Sequence, residues 1–245
     1  MRSVRGKFVF LEKKMKLLSK GTSNIKTKKS DTSGAGYLTM IMYLAPYNLS
    51  GTNLCPKSSN GCRHSCLFTA GFAGMYVRIN ERRIAKTKYY LQNRSDFKTQ
   101  LLKELSNFEK LCKRKNKKPC VRLNGTSDIV WEKVMPEIFT KFPTIQFYDY
   151  TKIARRFDKP LPSNYYLVFS RHETNENDCK EVLKKGYNIT VVFSHKKPFP
   201  KKFWGYNVVS GDDTDLRFLD KKGVVVALKA KGKARKDKTG FVIWN

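Results

Sequence analysis

Apolar residues along this chain collect in short unbroken runs, each closed by glycine, proline or a polar cluster. The first run, residues 37–44, lies between Gly36 and Pro46, and its length and flanks predict a buried strand. Further strands are predicted at residues 119–124, 144–150, 165–169, 188–193, 206–209 and 223–228. Helical periodicity fills the gaps. Phe97, Leu101, Leu105, Phe108 and Leu111 make an apolar stripe over residues 96–111, with Ser95 as its expected N-cap. Residues 75–91 carry a broken stripe of Val77, Ile84, Tyr89 and Leu91. Helical pieces follow at 129–142, 153–157 and 176–185, with a turn ending at Asp220. Residues 158–162, 196–202 and 231–240 read as loops.

Apolar strands alternating with helical crossovers predict an α/β fold with a mostly parallel sheet. The seven strands suffice for a partial or complete (β/α) barrel; the alternative is an open α/β sheet. No glycine-rich nucleotide fingerprint follows the first strand, which tells against a doubly wound sheet. Residues 1–36 read as a basic N-terminal arm, with a strand or ribbon near 7–12 and then a mobile stretch. Residues 37–230 form the barrel-like domain and 231–245 a basic C-terminal segment.

Charge sharpens this picture. The 245 residues hold 50 Lys and Arg against 20 Asp and Glu, a formal charge of +30. Such an excess calls for a polyanionic partner, and nucleic acid is the expected one. The sequence does not speak to oligomeric state. No apolar run approaches the length of a membrane helix, and residues 8–11 are too short for a signal-peptide apolar region. A reducing cytoplasm is the expected compartment, where six cysteines argue for metal chemistry over disulfides.

Cys55, Cys62 and Cys66 fall within twelve residues of a loop rich in Pro, Ser, Asn and Gly. Three thiolates can hold three irons of a 4Fe–4S iron–sulfur cluster and leave the fourth open. With His64 they could instead make a Cys₃His zinc site. Cys112, Cys120 and Cys179 read as small core residues. The other strands also end in polar clusters: Asn124, Thr126, Ser127 and Asp128; Asp149, Thr151 and Lys152; Ser170, Arg171 and Glu173; His195; Asp212, Asp213 and Asp215; Lys229 and Lys231. In a parallel barrel such ends meet on one face, where ligands bind. Asn124, Thr126, Ser127, Asp128, Lys152, Ser170, Arg171 and Glu173 are therefore the candidate cofactor-binding residues. Ser127 or Asp128 could equally cap the following helix. Tyr148 and Tyr150 could meet a base or cofactor. Asp212, Asp213 and Asp215 could hold a divalent cation, and the basic run 229–238 could meet phosphate. No residue stands out as catalytic; His172 and His195 are isolated histidines.

Cys55-Pro-x-Ser-x-x-Gly61-Cys62-x-x-x-Cys66-Leu, Arg122-Leu-Asn-Gly-Thr-Ser-Asp128, Phe147-Tyr-Asp-Tyr-Thr-Lys152 and Asp215-Leu-Arg-Phe-Leu-Asp220 together resemble a phage- and plasmid-borne family named after a mycobacteriophage gene product 88. The resemblance covers about residues 37–242. It implies a mobile-element origin, hence a host cytoplasm or a virion, more than an activity. A more distant likeness is to radical S-adenosylmethionine enzymes. It implies a cluster on Cys55, Cys62 and Cys66 and S-adenosylmethionine against residues 124–128. The spacing here, C-x₆-C-x₃-C, departs from the C-x₃-C-x₂-C of those enzymes.

Overall fold

The computed structural model describes residues 15–244, the side chain of Ile25 apart. The strand or ribbon expected near residues 7–12 lies outside the described residues. In chain order the elements begin with β1 (Leu18–Lys20), α1 (Ile25–Thr32) and β2 (Tyr37–Met42). The cysteine loop follows, with its short α2 (Asn60–His64), then α3 (Gly71–Met75), α4 (Val77–Gln92) and α5 (Arg94–Arg114). Next come β3 (Lys118–Arg122), α6 (Trp131–Val134), α7 (Glu137–Lys141), β4 (Gln146–Thr151), β5 (Tyr165–Ser170), α8 (Glu176–Lys184) and β6 (Ile189–Phe193). The chain finishes with β7 (Lys202–Phe203), β8 (Tyr206–Ser210), β9 (Val225–Lys229) and β10 (Val242–Ile243).

The ten strands of the described residues join one mostly parallel sheet in the order β1-β2-β3-β4-β5-β6-β9-β8-β7, with β10 also on β6. The sheet is open: β1 and β7 are its edges, each antiparallel to its single neighbour. The complete barrel is thus not what forms, and the open α/β sheet is. From β2 to β6 the strands follow chain order, and right-handed crossovers then place every connection on the same face. There α5, α6, α7 and α8 bury Phe97, Leu101, Leu105, Phe108, Trp131, Ile138, Phe139, Val182 and Leu183 against Val121, Phe147, Leu167, Phe169, Val191 and Val225. Each such side chain contributes about 1.5–3 kcal/mol of transfer free energy.

Several local expectations shift. The helix expected at 129–142 splits into α6 and α7 around Pro136, which lacks the N–H a continuing helix needs. The N-cap of α5 is Asn93, not Ser95, and α6 starts after Val130 without a side-chain cap from Ser127 or Asp128. A two-residue turn at Trp204 and Gly205, both at positive φ (52° and 82°), folds β7 back onto β8.

Residues 18–32, expected as mobile, are built into the fold. β1 pairs with β2, and Glu104 of α5 accepts hydrogen bonds from the Leu17 and Leu18 N–H groups at 2.9 and 2.8 Å. The C-terminal segment is built in too. β5 pairs with β6 only at Phe169–Ile189 and Ser170–Thr190; beyond that point β10 takes its place, at Val192 and Phe193. Arg171 holds this wedge by donating from Nη1 to the carbonyls of Gly240 (2.8 Å) and Phe241 (3.0 Å).

The face away from the helices is covered by α1 and by residues 214–220. Alternation along β4 sends Phe147 to the helical core and Tyr148 and Tyr150 to this second face. There the buried Asp215 carboxylate accepts from Tyr148 (3.0 Å) and Tyr150 (2.9 Å) and pairs with Lys26 (2.8 Å) and Arg122 (3.4 Å).

Candidate functional site

The carboxyl ends of β2 to β5 bring the cysteine loop, residues 124–128, Lys152 and residues 171–173 to one rim. Direct contacts stitch these connections together. The Asp128 N–H donates to the Leu54 carbonyl (2.8 Å), and the Lys152 N–H donates to Asp128 Oδ2 (2.8 Å). The Cys55 thiol faces the Thr126 carbonyl at 3.6 Å.

The loop is shaped by short-range polar contacts and clamped from outside. Asn53 Oδ1 accepts the Cys55 N–H (2.8 Å), and Ser58 donates to the Cys55 carbonyl (2.8 Å). Ser59 caps α2, accepting the Cys62 N–H at 3.1 Å. The clamp is Glu173. One carboxylate oxygen accepts from the Ser59 hydroxyl (2.7 Å) and the other from the Gly61 N–H (2.6 Å). Gly61 has no room for a side chain: a Cβ there would sit 2.8 Å from Glu173 Oε2 and 2.8 Å from Phe241 Cβ. Tyr47 holds a left-handed backbone (φ 45°), and its N–H points at Cys55 Sγ, 3.4 Å away. No local signal marks Tyr47 for this role.

Electrostatics centre on the half-buried Lys152. Burial alone would lower the affinity of this amine for its proton. The negative charges that Cys62, Asp128, Cys55 and Cys66 carry once deprotonated outweigh that and hold it above the usual lysine range. Burial pushes the Cys55 thiol up to about 12, against the pull of the Tyr47 N–H and of Lys152, and raises Cys66 as well. At neutral pH these thiols keep their protons. Burial, then the Lys152 charge, lowers the buried His172 to about 4, so it is neutral and takes the Thr174 N–H on Nδ1 at 3.2 Å.

The other expected ligand residues are engaged within the chain. Asn124 Oδ1 accepts from Ser127 (2.9 Å), the Ile129 N–H (3.0 Å) and Trp131 Nε1 (3.1 Å), while its Nδ2 donates to Ile129 and Asp149. Thr126 donates to the Leu44 carbonyl, and Ser170 accepts from Thr190. Asp128 faces Arg156 (3.5 Å) as well as the Lys152 N–H. Tyr148 and Tyr150 sit on the opposite face, away from the rim. Asp212, Asp213 and Asp215 do not share a site: Asp212 pairs with Lys231, Asp213 is exposed and Asp215 is buried with Lys26. His64 is exposed and its Nδ1 meets the Asn60 carbonyl of its own turn. Cys112, Cys120 and Cys179 are buried, as expected of core residues.

The rim thus offers three partly buried thiols on one braced loop, with the Lys152 cation in electrostatic reach. In kind this donor set fits an iron–sulfur cluster, whose ligands are thiolates. Among the described residues no three His, Cys, Asp or Glu side chains are gathered closely enough to hold an ion as they stand. No helix among the described residues is long and apolar enough to cross a membrane.

No curated protein and no solved structure matches the chain; the likeness to radical S-adenosylmethionine enzymes gains no support from them. The model of the family described as Gene product 88 matches residues 15–245. With all but the first few residues covered, the chain belongs to the Gene product 88 family.

Proposed function

We propose that this protein carries an iron–sulfur cluster on Cys55, Cys62 and Cys66 and acts on nucleic acid or nucleotides. One observation carries the reading: a single loop with three thiols, clamped by Glu173, shares the rim of a parallel sheet with Lys152, within electrostatic reach of all three. A cluster with three thiolate ligands is anionic, and a lysine held firmly charged offsets that charge. When bound, the cluster would supply one-electron chemistry and an iron without a protein ligand. Lys152 would balance the charge, Glu173 would hold the loop and His172 would stay neutral beside it. The net charge of +30 supports a polyanionic substrate.

S-adenosylmethionine at the open iron is the finer form of this reading. Its support is the thiol loop alone, because Asn124, Thr126 and Ser127 are engaged within the chain. Zinc is the rival metal, for which His64, exposed and with Nδ1 against the Asn60 carbonyl, would have to turn to complete a Cys₃His set.

Anaerobic purification with iron and sulfide analysis tests the proposal. A brown protein with about four irons per chain, lost when all three cysteines become alanine, is the expected outcome. A colourless zinc protein, or iron content indifferent to the cysteines, overturns it. A change in the electron paramagnetic resonance of the reduced cluster on adding S-adenosylmethionine tests the finer form.

A further inference from the structure

Immediately after Cys66 the surface turns apolar. Among the described residues the large apolar side chains left exposed are Leu67, Phe72, Met75, Tyr76, Val77, Val134, Tyr187, Leu219 and Trp244. The first five fall within one stretch of the chain, where scattered single residues would be the ordinary pattern. Met75 and Val77 are 72% and 73% exposed.

This stretch is a built platform. The Gly74 backbone lies so close to the Thr69 carbonyl that no side chain fits there. Ala73 is the buried residue of α3, and its carbonyl accepts from Asn80 Nδ2 at 2.9 Å. With Ala73 turned in, Phe72, Met75 and Tyr76 are turned out. The Phe72 and Tyr76 rings lie 6.1 Å apart with 31° between their planes.

Two segments of the chain bring cations beside the platform. Arg78 and Arg82 are exposed on the first turns of α4. In the second segment Gly232, at φ 55°, brings the turn Gly232–Lys236 against Thr69 and Ala70; a Cβ on Gly232 would meet both at 2.9 Å. That contact stations the exposed Lys233, Arg235 and Lys236 beside the apolar strip. Asp237 does not cancel them, because its carboxylate is engaged by Thr239 and the Val242 N–H.

We infer that this platform binds single-stranded nucleic acid, with bases stacked on Phe72 and Tyr76 and phosphates on Arg78, Arg82, Lys233, Arg235 and Lys236. Exposed rings beside two groups of cations match a strand whose bases and backbone are both accessible. A duplex hides the base faces and leaves the rings without partners. The strip begins at Cys66, so a seated strand passes beside the thiol rim. The inference deepens the nucleic-acid side of the proposed function and is independent of the cluster.

Fluorescence anisotropy of a fluorescein-labelled oligothymidylate, titrated with the full chain at several salt concentrations, tests it. Phe72→Ala and Tyr76→Ala should each weaken binding about tenfold. Replacing Lys233, Arg235 and Lys236 with alanine should lower the slope of log affinity against log salt by about 2. These side chains are exposed, and an unchanged circular-dichroism melt confirms that the variants fold. Phe72→Ala and Tyr76→Ala should leave the iron content as it is in the parent, which separates failure of the cluster reading from failure of this one. Equal binding by parent and by the double ring variant overturns the inference. So does tighter binding of the matching duplex, or binding to phosphatidylserine vesicles with none to the oligonucleotide.

Discussion

Replacing Asp215 with asparagine should destabilise the chain severely while leaving the helical core untouched. The carboxylate is buried and receives Lys26, Arg122, Tyr148 and Tyr150, and its backbone N–H donates to Ser30 of α1 at 2.7 Å. Burial pulls the Lys26 ammonium below the usual lysine range, and the pairing restores this only in part. Burial by itself would raise the Asp215 carboxyl; Lys26 and Arg122 reverse that and hold it well below the usual carboxylate range. Without its charge, Lys26 and the buried Arg217 are left with Asp220 as the nearby acid. Removing one partner from a buried pair costs about 3–5 kcal/mol, out of a total near 5–15 kcal/mol. Urea is the denaturant to use, because guanidinium screens charge. With a slope of about 3 kcal/mol/M, the midpoint should fall by about 1–1.7 M. A double-mutant cycle with Lys26→Met should show coupling of about 0.5–3 kcal/mol. The pH dependence follows from the lowered carboxyl: its contribution is complete above the unfolded value, near 4, and is lost as pH falls below that toward the folded value. A loss under about 1 kcal/mol, or no coupling to Lys26, would refute the assignment of α1 as a helix anchored on the second face.

Three further outcomes probe the rim. Glu173→Ala removes two charge-assisted hydrogen bonds at about 1.5–3 kcal/mol each; Cys62 and Cys66 should then react faster with a thiol reagent, which labelling kinetics will show. Gly61→Ala forces a methyl against Glu173 and Phe241 and should cost about 1–3 kcal/mol, read as a lowered melting temperature. His172 is lowered from 6.5 to about 4 on folding, so the unfolded chain binds its proton first and stability falls as pH drops through that window; His172→Gln should flatten this acid limb in urea titrations at successive pH values.

How much of this could be read without coordinates depends on how local each signal is. A strand buried on both faces announces itself as an unbroken apolar run, and a helix by its stripe, so β2 to β6 and α5 were legible within a few residues. The break at Pro136 was missed, although its signal is local: the apolar pattern runs on across 129–142 while the missing N–H stops the helix. The parallel order put the thiol loop, Asp128, Lys152 and Glu173 on one rim before any distance was known. The roles within the rim were not legible. Glu173 has the composition of a ligand, and that it grips Ser59 and Gly61 depends on a residue more than a hundred positions away.

By itself the sequence determined the strand–helix rhythm, the side of the sheet on which polar ends gather, the clustered thiols and the cationic surface. Each follows from the period of apolar positions, from local turn chemistry or from a simple count. Only the tertiary structure decided that the sheet stays open, that β1 and α1 join it and that β10 wedges in beside β6. It also decided that Tyr148 and Tyr150 turn away from the rim and that residues 67–77 remain uncovered. The reason is one of scale: strands of two or three residues carry no period of their own. Their places are set by hydrogen bonds and burial against distant partners, which a local pattern does not encode.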